Sequence, residues 1–347
     1  MKRRLILHRL FGLLLMNVSY PVRLLGTGAY LPARQVTSAS LDTKYQRPSG
    51  ATERLGGVRH RHFAATHETS TFMAAEALRQ ALDTAGLAAS ELDILLANSV
   101  LPEQPMPTNA VLVHRAVGLS PRATCFDING SCLGFLHALE TASAGLASGR
   151  YAYAAIVASE VASKGLNWDS AETSALFGDG AAAVILGPAS PGDEAAVLGI
   201  SFETHSQGAD LCRIAAGGTR YNAVTPPPTP EDYLFRMDGP GVFRLASGVF
   251  PAFLDRLLRA AGYPRQAIDC VIPHQASYLG LRFLTQRLGL DPARVVQILP
   301  THGNQVSASL PSTLHAAVST GRLQRGQLGL LLGTGAGVTL GAALLRY

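Results

Sequence analysis

The 347-residue sequence predicts an α/β fold built from two similar halves. Three observations carry this expectation. Near-continuous apolar runs alternate with amphipathic stretches of helical period, and such runs suit strands covered on both faces. The order of these elements occurs twice along the chain. The composition, 47% hydrophobic and 15% charged with abundant Gly and Ala, favours a tightly packed enzyme over a disordered or nucleic-acid-binding chain.

The first convincing strand is Val22–Gly26. Met73 to Ala85 then reads as a helix stopped by Gly86, and Glu91 to Asn98 as a buried strand. The second copy has a helix from Val249 to Ala261, a stop at Gly262, and a strand from Ala267 to His274. Further echoes maintain the order. Leu136-His137-Ala138 running to Gly149-Arg150 matches Leu314-His315-Ala316 running to Gly321-Arg322, and Gly178–Val184 matches Gly333–Val338. The expected organisation is an extension over 1–15, a first half over 16–190 and a second over 191–347, with the boundary near Gly187–Ala196. Glu203 to Pro230, with Gly-Gly and Pro-Pro-Pro clusters, reads as a long loop or insertion.

Residues 1–15 have the basic and apolar parts of a signal peptide. His8 and Arg9 interrupt the apolar run and no small-residue cleavage site follows, so an added extension or upstream start is the better reading. The four cysteines (Cys125, Cys132, Cys212, Cys270) are far apart, which fits a reducing cytoplasm and suggests neither a disulfide framework nor a zinc site. The ten His form no H-E-x-x-H pattern, and the formal charge of +5 is not gathered into a basic tract beyond the N-terminus. Metal and nucleic-acid partners therefore have no support, whereas a mildly basic surface suits an acidic carrier protein or a phosphorylated cofactor.

Cys132 is the leading candidate for chemistry. It lies in Asn129-Gly130-Ser131-Cys132-Leu133-Gly134, just before a helix expected over Leu133–Gly149. Backbone N–H groups and the dipole at a helix start favour negative charge, which predicts a lowered thiol pKa. Taken alone, the segment equally suits a small buried hydrophobe. Asn98 falls where His274 falls in the repeat, so a structural strand end in one copy carries a titratable group in the other. Pro273-His274-Gln275-Ala276-Ser277 follows a strand and opens a helix. Thr301-His302-Gly303-Asn304-Gln305 follows a strand expected over Val295–Leu299 and leads into a helix over Ala308–Val318. A structural His and a turn-forming Asn are the plain alternatives. Gly333-Thr334-Gly335-Ala336-Gly337 lacks the Lys-Ser/Thr of a phosphate loop and is better read as offering backbone N–H groups to a carbonyl oxygen.

In this order, Gly-Ser-Cys-Leu-Gly, His-Gln-Ala, His-Gly-Asn and the two Gly-rich turns resemble the β-ketoacyl-acyl-carrier-protein synthase III family. Gly26-Thr27-Gly28-Ala29-Tyr30-Leu31-Pro32 and Phe177-Gly178-Asp179-Gly180 extend the resemblance over Val22–Tyr347. It implies a thiolase fold, with two similar α/β halves in a five-layered αβαβα arrangement, and a homodimer. Cys132 is implied as the nucleophile, with the N–H groups of Cys132 and Ala336 as its oxyanion hole. His274 and Asn304 are implied as the pair that stabilises the enolate of a second thioester. No metal or redox cofactor is required; the substrates are acyl thioesters of coenzyme A or acyl carrier protein.

Several positions depart from the family pattern. Arg54 resembles an arginine that holds coenzyme A, but Gly50 stands where a Trp stacks the adenine and Ala171 where a second arginine binds phosphate. Ser277 replaces an Asn, and Met106 replaces a Phe that closes the partner's acyl pocket. Long-chain head-to-head condensing relatives have a Glu there, and here Glu103 is only nearby. Met106, Arg54, Ser277 and Phe243 are the expected substrate contacts. Arg282 and Arg287 are candidates for docking the carrier protein, or form a solvated helix face. The expected reaction is Claisen condensation with a malonyl- or β-ketoacyl-thioester, in fatty-acid initiation or specialised polyketide assembly. The alternatives are acyl transfer to a hydroxyl or amine, and a non-catalytic partner subunit of a heterodimer.

Overall fold

The computed structural model describes residues 19–347; the extension expected at 1–15 lies outside the described residues. β1 (Val22–Tyr30) is followed by a small antiparallel pair, β2 (Gln35–Thr37) and β3 (His60–His62). Next come β4 (Ile94–Asn98), β5 (Thr124–Asp127), β6 (Ala154–Glu160) and β7 (Gly180–Pro188). The second half contains β8 (Ala196–Thr204), a short pair β9 (Cys212–Arg213) and β10 (Arg236–Met237), β11 (Cys270–Pro273), β12 (Leu328–Gly335) and β13 (Thr339–Arg346).

The two main sheets share one plan. The first runs β1-β7-β6-β4-β5 and the second β8-β13-β12-β11. In each, the outer antiparallel strands join a parallel pair, β6/β4 in one and β12/β11 in the other. The repetition reaches individual hydrogen bonds. Asp93 N–H donates to Tyr153 O at 3.0 Å, and Asp269 N–H donates to Leu328 O at 2.9 Å. Each of these aspartates also accepts, through its carboxylate, from the start of the neighbouring strand.

Helices fill three layers around the two sheets. The Ser70–Ala85 helix starts at Thr69, whose hydroxyl accepts from Phe72 N–H at 3.2 Å, and stops at Gly86 with φ 68°. Its buried stripe of Met73, Ala77, Leu78, Ala81 and Leu82 has the i, i+4 spacing of one helix face and covers the first sheet. Gly26 and Gly28 let β1 approach this helix; a Cβ at either would strike a helix carbonyl. The Gly239–Ala261 helix covers the second sheet in the same way. It begins ten residues before the expected Val249, because Asp238 caps Gly241 N–H at 2.8 Å and Pro240 suits a first turn. Between the sheets lie Gly134–Ala147 and Ser309–Ser319, with Leu136, Leu139, Leu310 and Leu314 in one core with Ile156 and Leu331. The result is the αβαβα arrangement.

One expected strand is absent. Val295–Leu299 makes a single parallel bridge, Val295 to Val271, where the first sheet has β5. Gln275 takes over the pairing. Its amide donates to Val296 O at 3.1 Å and accepts from Ile298 and Leu299 N–H at 3.1 and 3.0 Å. The backbone then turns into a short helix, Leu299–His302. Among the described residues, no helix is long and apolar enough to cross a membrane.

Candidate active site

Cys132 stands in the tight turn between β5 and the central helix. Ser131 has φ 51°, and Leu133 and Gly134 donate back to Gly130 O and Ser131 O, both at 3.1 Å. The helix proper starts at Gly134, where any Cβ would collide with the Asn98 amide. The sulfur faces a cavity of about 130 Å³ whose walls include Val100, Leu101, Phe235, Met237 and Val242. This setting reverses the expected pKa direction. Burial is the main cause pushing the Cys132 thiol up, with Glu160 and Cys212 adding to it and the residue's own N–H opposing; the result is about 12. Desolvation of a thiolate among apolar walls outweighs the helix start.

His274 follows β11 and donates its N–H to Leu332 O at 2.8 Å. Gly333, on the neighbouring strand, makes room for it: a Cβ there would lie 2.6 Å from His274 Cβ. The ring is buried and lines the same cavity as Cys132. Burial lowers its pKa to about 4, so the imidazole is neutral near pH 7. Nδ1 finds no hydrogen-bond partner among the described residues.

Asn304 is held by both halves of the chain. Its N–H donates to Leu176 O at 2.9 Å, and Gly178 N–H donates to Asn304 O at 3.1 Å. Gly303, at φ 69°, permits this approach; a Cβ there would lie 2.8 Å from Leu176 O. The side chain is fixed at both ends. Oδ1 accepts from Val306 N–H at 2.8 Å, and Nδ2 donates to Ala276 O at 3.2 Å. Phe177-Gly178-Asp179-Gly180 thus grips the turn that carries Asn304. Asp179, in turn, accepts from Ala64 and Ser163 N–H at 2.8 Å each.

The structure gathers Cys132, His274, Asn304 and Ala336 around one cavity. An adjoining cavity of similar size shares His274 and Ala276 with the first and adds Phe243 and Ser277. Ser277 caps the Tyr278–Gln286 helix, its hydroxyl accepting from Gly280 N–H at 3.0 Å. Three expected groups stand apart. Arg54 donates to Ser49 O at 3.2 Å and lines a separate surface groove with Gly50 and Tyr278. Arg282 and Arg287 are exposed, with Arg282 over the Tyr278 ring at 5.8 Å. Met106 is 85% exposed on the loop after β4 and is not among the residues lining either cavity. Glu103 caps Thr71 N–H at 2.8 Å.

Two titratable residues of the Cys132 cavity escaped sequence reasoning. Cys212 comes from the expected loop region, through β9, and Glu160 ends the apolar run of β6. A Glu after Ala-Ser at a strand end looks solvated; its full burial depends on residues distant in sequence. Among the described residues, no group of three or more His, Cys, Asp or Glu side chains is arranged to hold a metal ion.

The family model described as 3-oxoacyl-[acyl-carrier-protein (ACP)] synthase III matches residues 126–208, and its C-terminal companion matches 258–347. A β-ketoacyl-[acyl-carrier-protein] synthase III from Neisseria meningitidis serogroup C is 34% identical over 93% of this chain and 98% of its own. The chain belongs to the β-ketoacyl-[acyl-carrier-protein] synthase III family. A synthase III from Acidiphilium cryptum is 35% identical over the same share of each chain. The crystal structure of 3-oxoacyl-[acyl-carrier-protein] synthase III from Aquifex aeolicus superposes with a TM-score of 0.84, covering 94% of this chain and all of that one at 29% identity. OleA from Xanthomonas campestris, at 21% identity and a TM-score of 0.83 over 95% of this chain and 98% of its own, shares the fold. The chain is therefore a condensing enzyme, an acyltransferase of thiolase-like fold.

Proposed function

We propose that Cys132 takes an acyl group from a thioester, and that His274 and Asn304 then stabilise the enolate of a malonyl- or β-ketoacyl-thioester on acyl carrier protein. In the first step the Cys132 sulfur bonds to the thioester carbonyl carbon. The N–H groups of Cys132 and Ala336 receive the oxyanion. The carbon–sulfur bond of the donor breaks, and the thiol proton leaves with the departing thiol. In the second step a malonyl thioester loses carbon dioxide, and the resulting enolate carbon attacks the acyl carbonyl. The Cys132 sulfur departs and regains a proton, as its raised pKa requires.

One observation carries this reading. Asn304 spends one amide N–H on Ala276 O and fixes its oxygen on Val306 N–H, which leaves the second N–H for a ligand oxygen in the cavity. The neutral His274 ring supplies the other donor without adding a charge. The adjoining cavity with Phe243 and Ser277 is the route for the thioester arm. At the surface, Arg54, Arg282 and Arg287 form the basic face that an acidic carrier meets. Met106, exposed on its loop, reaches the acyl pocket of a second copy in a homodimer.

Intact-protein mass spectrometry with a panel of acyl thioesters tests the assignment. The wild type gains one acyl group, and Cys132→Ala gains none. Asn304→Ala is acylated but yields no carbon–carbon product when the second thioester is added. Acylation of Cys132→Ala would reject the nucleophile. An ester or amide product without carbon dioxide release would reject condensation.

A further inference from the structure

Glu160 ends β6 with a fully buried carboxylate that lines the Cys132 cavity. Burial is the main cause raising its pKa, to about 7, and hydrogen-bond donors oppose that rise. Val100 N–H donates to Oε1 at 2.6 Å, Leu101 N–H approaches Oε2 at 3.4 Å, and the Ser307 hydroxyl donates to Oε1. These contacts join two functional parts. Val100 and Leu101 line the Cys132 cavity, from the first half of the chain. Ser307 belongs to the Val306–Ala308 turn of the second half, whose Val306 N–H orients Asn304. In the duplicated plan, β6 corresponds to β12, whose end carries the Gly335–Ala336 turn. Equivalent strand ends thus reach the cavity from both halves.

We propose that Glu160 is a positioning residue: its carboxyl group clamps the cavity wall at Val100 and Leu101 to the turn that orients Asn304. This rests on the assignment of Cys132 and Asn304 above. The clamp spans both halves, so it keeps the acyl-enzyme and the enolate donors in register.

The test uses the full chain and two variants. Glu160→Gln keeps an oxygen where Oε1 accepts from Val100 and Ser307, and loses only the long Leu101 contact at Oε2. Condensation per acyl-enzyme should stay within about twofold of wild type. Glu160→Ala removes the clamp, and condensation per acyl-enzyme should drop about tenfold while the acylation rate changes less. If Glu160→Ala fails to fold, Ser307→Ala cuts one arm of the clamp and should lower the same ratio. An unchanged ratio in Glu160→Ala, or in Ser307→Ala where that substitute is needed, overturns the clamp. A drop in Glu160→Gln as large as in Glu160→Ala overturns it as well. Failure of the underlying assignment is separate, because the wild type itself would then form no acyl adduct.

Discussion

Asn98 and His274 end equivalent strands, β4 and β11, and meet opposite fates. Asn98 is 2% exposed, and neither polar atom of its amide finds a partner among the described residues. It is pressed against Gly134, at the start of the central helix. His274 is 6% exposed, yet its ring borders two cavities, with Gly333 giving it room. The duplication thus supplies two similar strand ends. In the first half, a helix start closes over the end. In the second, a glycine leaves it open to a chamber. Residue chemistry becomes reactive chemistry only where packing leaves space in front of it.

Four changes break or sharpen that contrast. His274→Asn gives the second strand end the residue of the first and should have the largest effect. Condensation is expected to fall about 10²–10³-fold with acylation of Cys132 retained, as rate and mass measurements would show. A wild-type condensation rate would remove the ring from the enolate site. Acid acts next. His274 and His302 both have pKa values lowered to about 4, chiefly by burial. The unfolded chain, with His near 6.5, therefore binds more protons over that interval. Stability held above pH 6.5 should be lost progressively towards pH 4, by a few kcal/mol in denaturant titrations. His274→Asn should flatten that slope, whereas Asn98 variants should not. Gly333→Ala places a methyl against His274 and should reduce condensation about tenfold, read as kcat/KM for the second thioester. Smallest is Asn98→Leu, which replaces two unsatisfied buried groups by an apolar side chain of similar size. Stability should change by less than about 1 kcal/mol or rise, with turnover unaffected. A larger loss would reveal a partner for the amide.

The fold was legible because its causes are largely local. Apolar runs, helix stripes and Gly stops such as Gly86 and Gly262 mark the elements along the chain. The repeated order then pointed to two similar sheets. Val295–Leu299 misled for the same reason. Its strand-like composition is overridden by the Gln275 side chain, which takes its backbone groups from across the core. The grouping of Cys132, His274 and Asn304 was anticipated by motif order, and the structure brings them to one cavity. Glu160 was missed because its hydrogen-bond partners Val100 and Ser307 are 60 and 147 positions away.

By itself, the sequence determined where chain direction changes, which faces are apolar, and which residue types reach the strand ends. These follow from side-chain period and backbone preference within a few residues. Only the tertiary structure decided that the Cys132 sulfur is a high-pKa thiol, that the His274 ring is neutral, and that Asn304 has an N–H left without a partner among the described residues. Each depends on desolvation and hydrogen bonding by groups from both halves, which no local stretch of chain encodes.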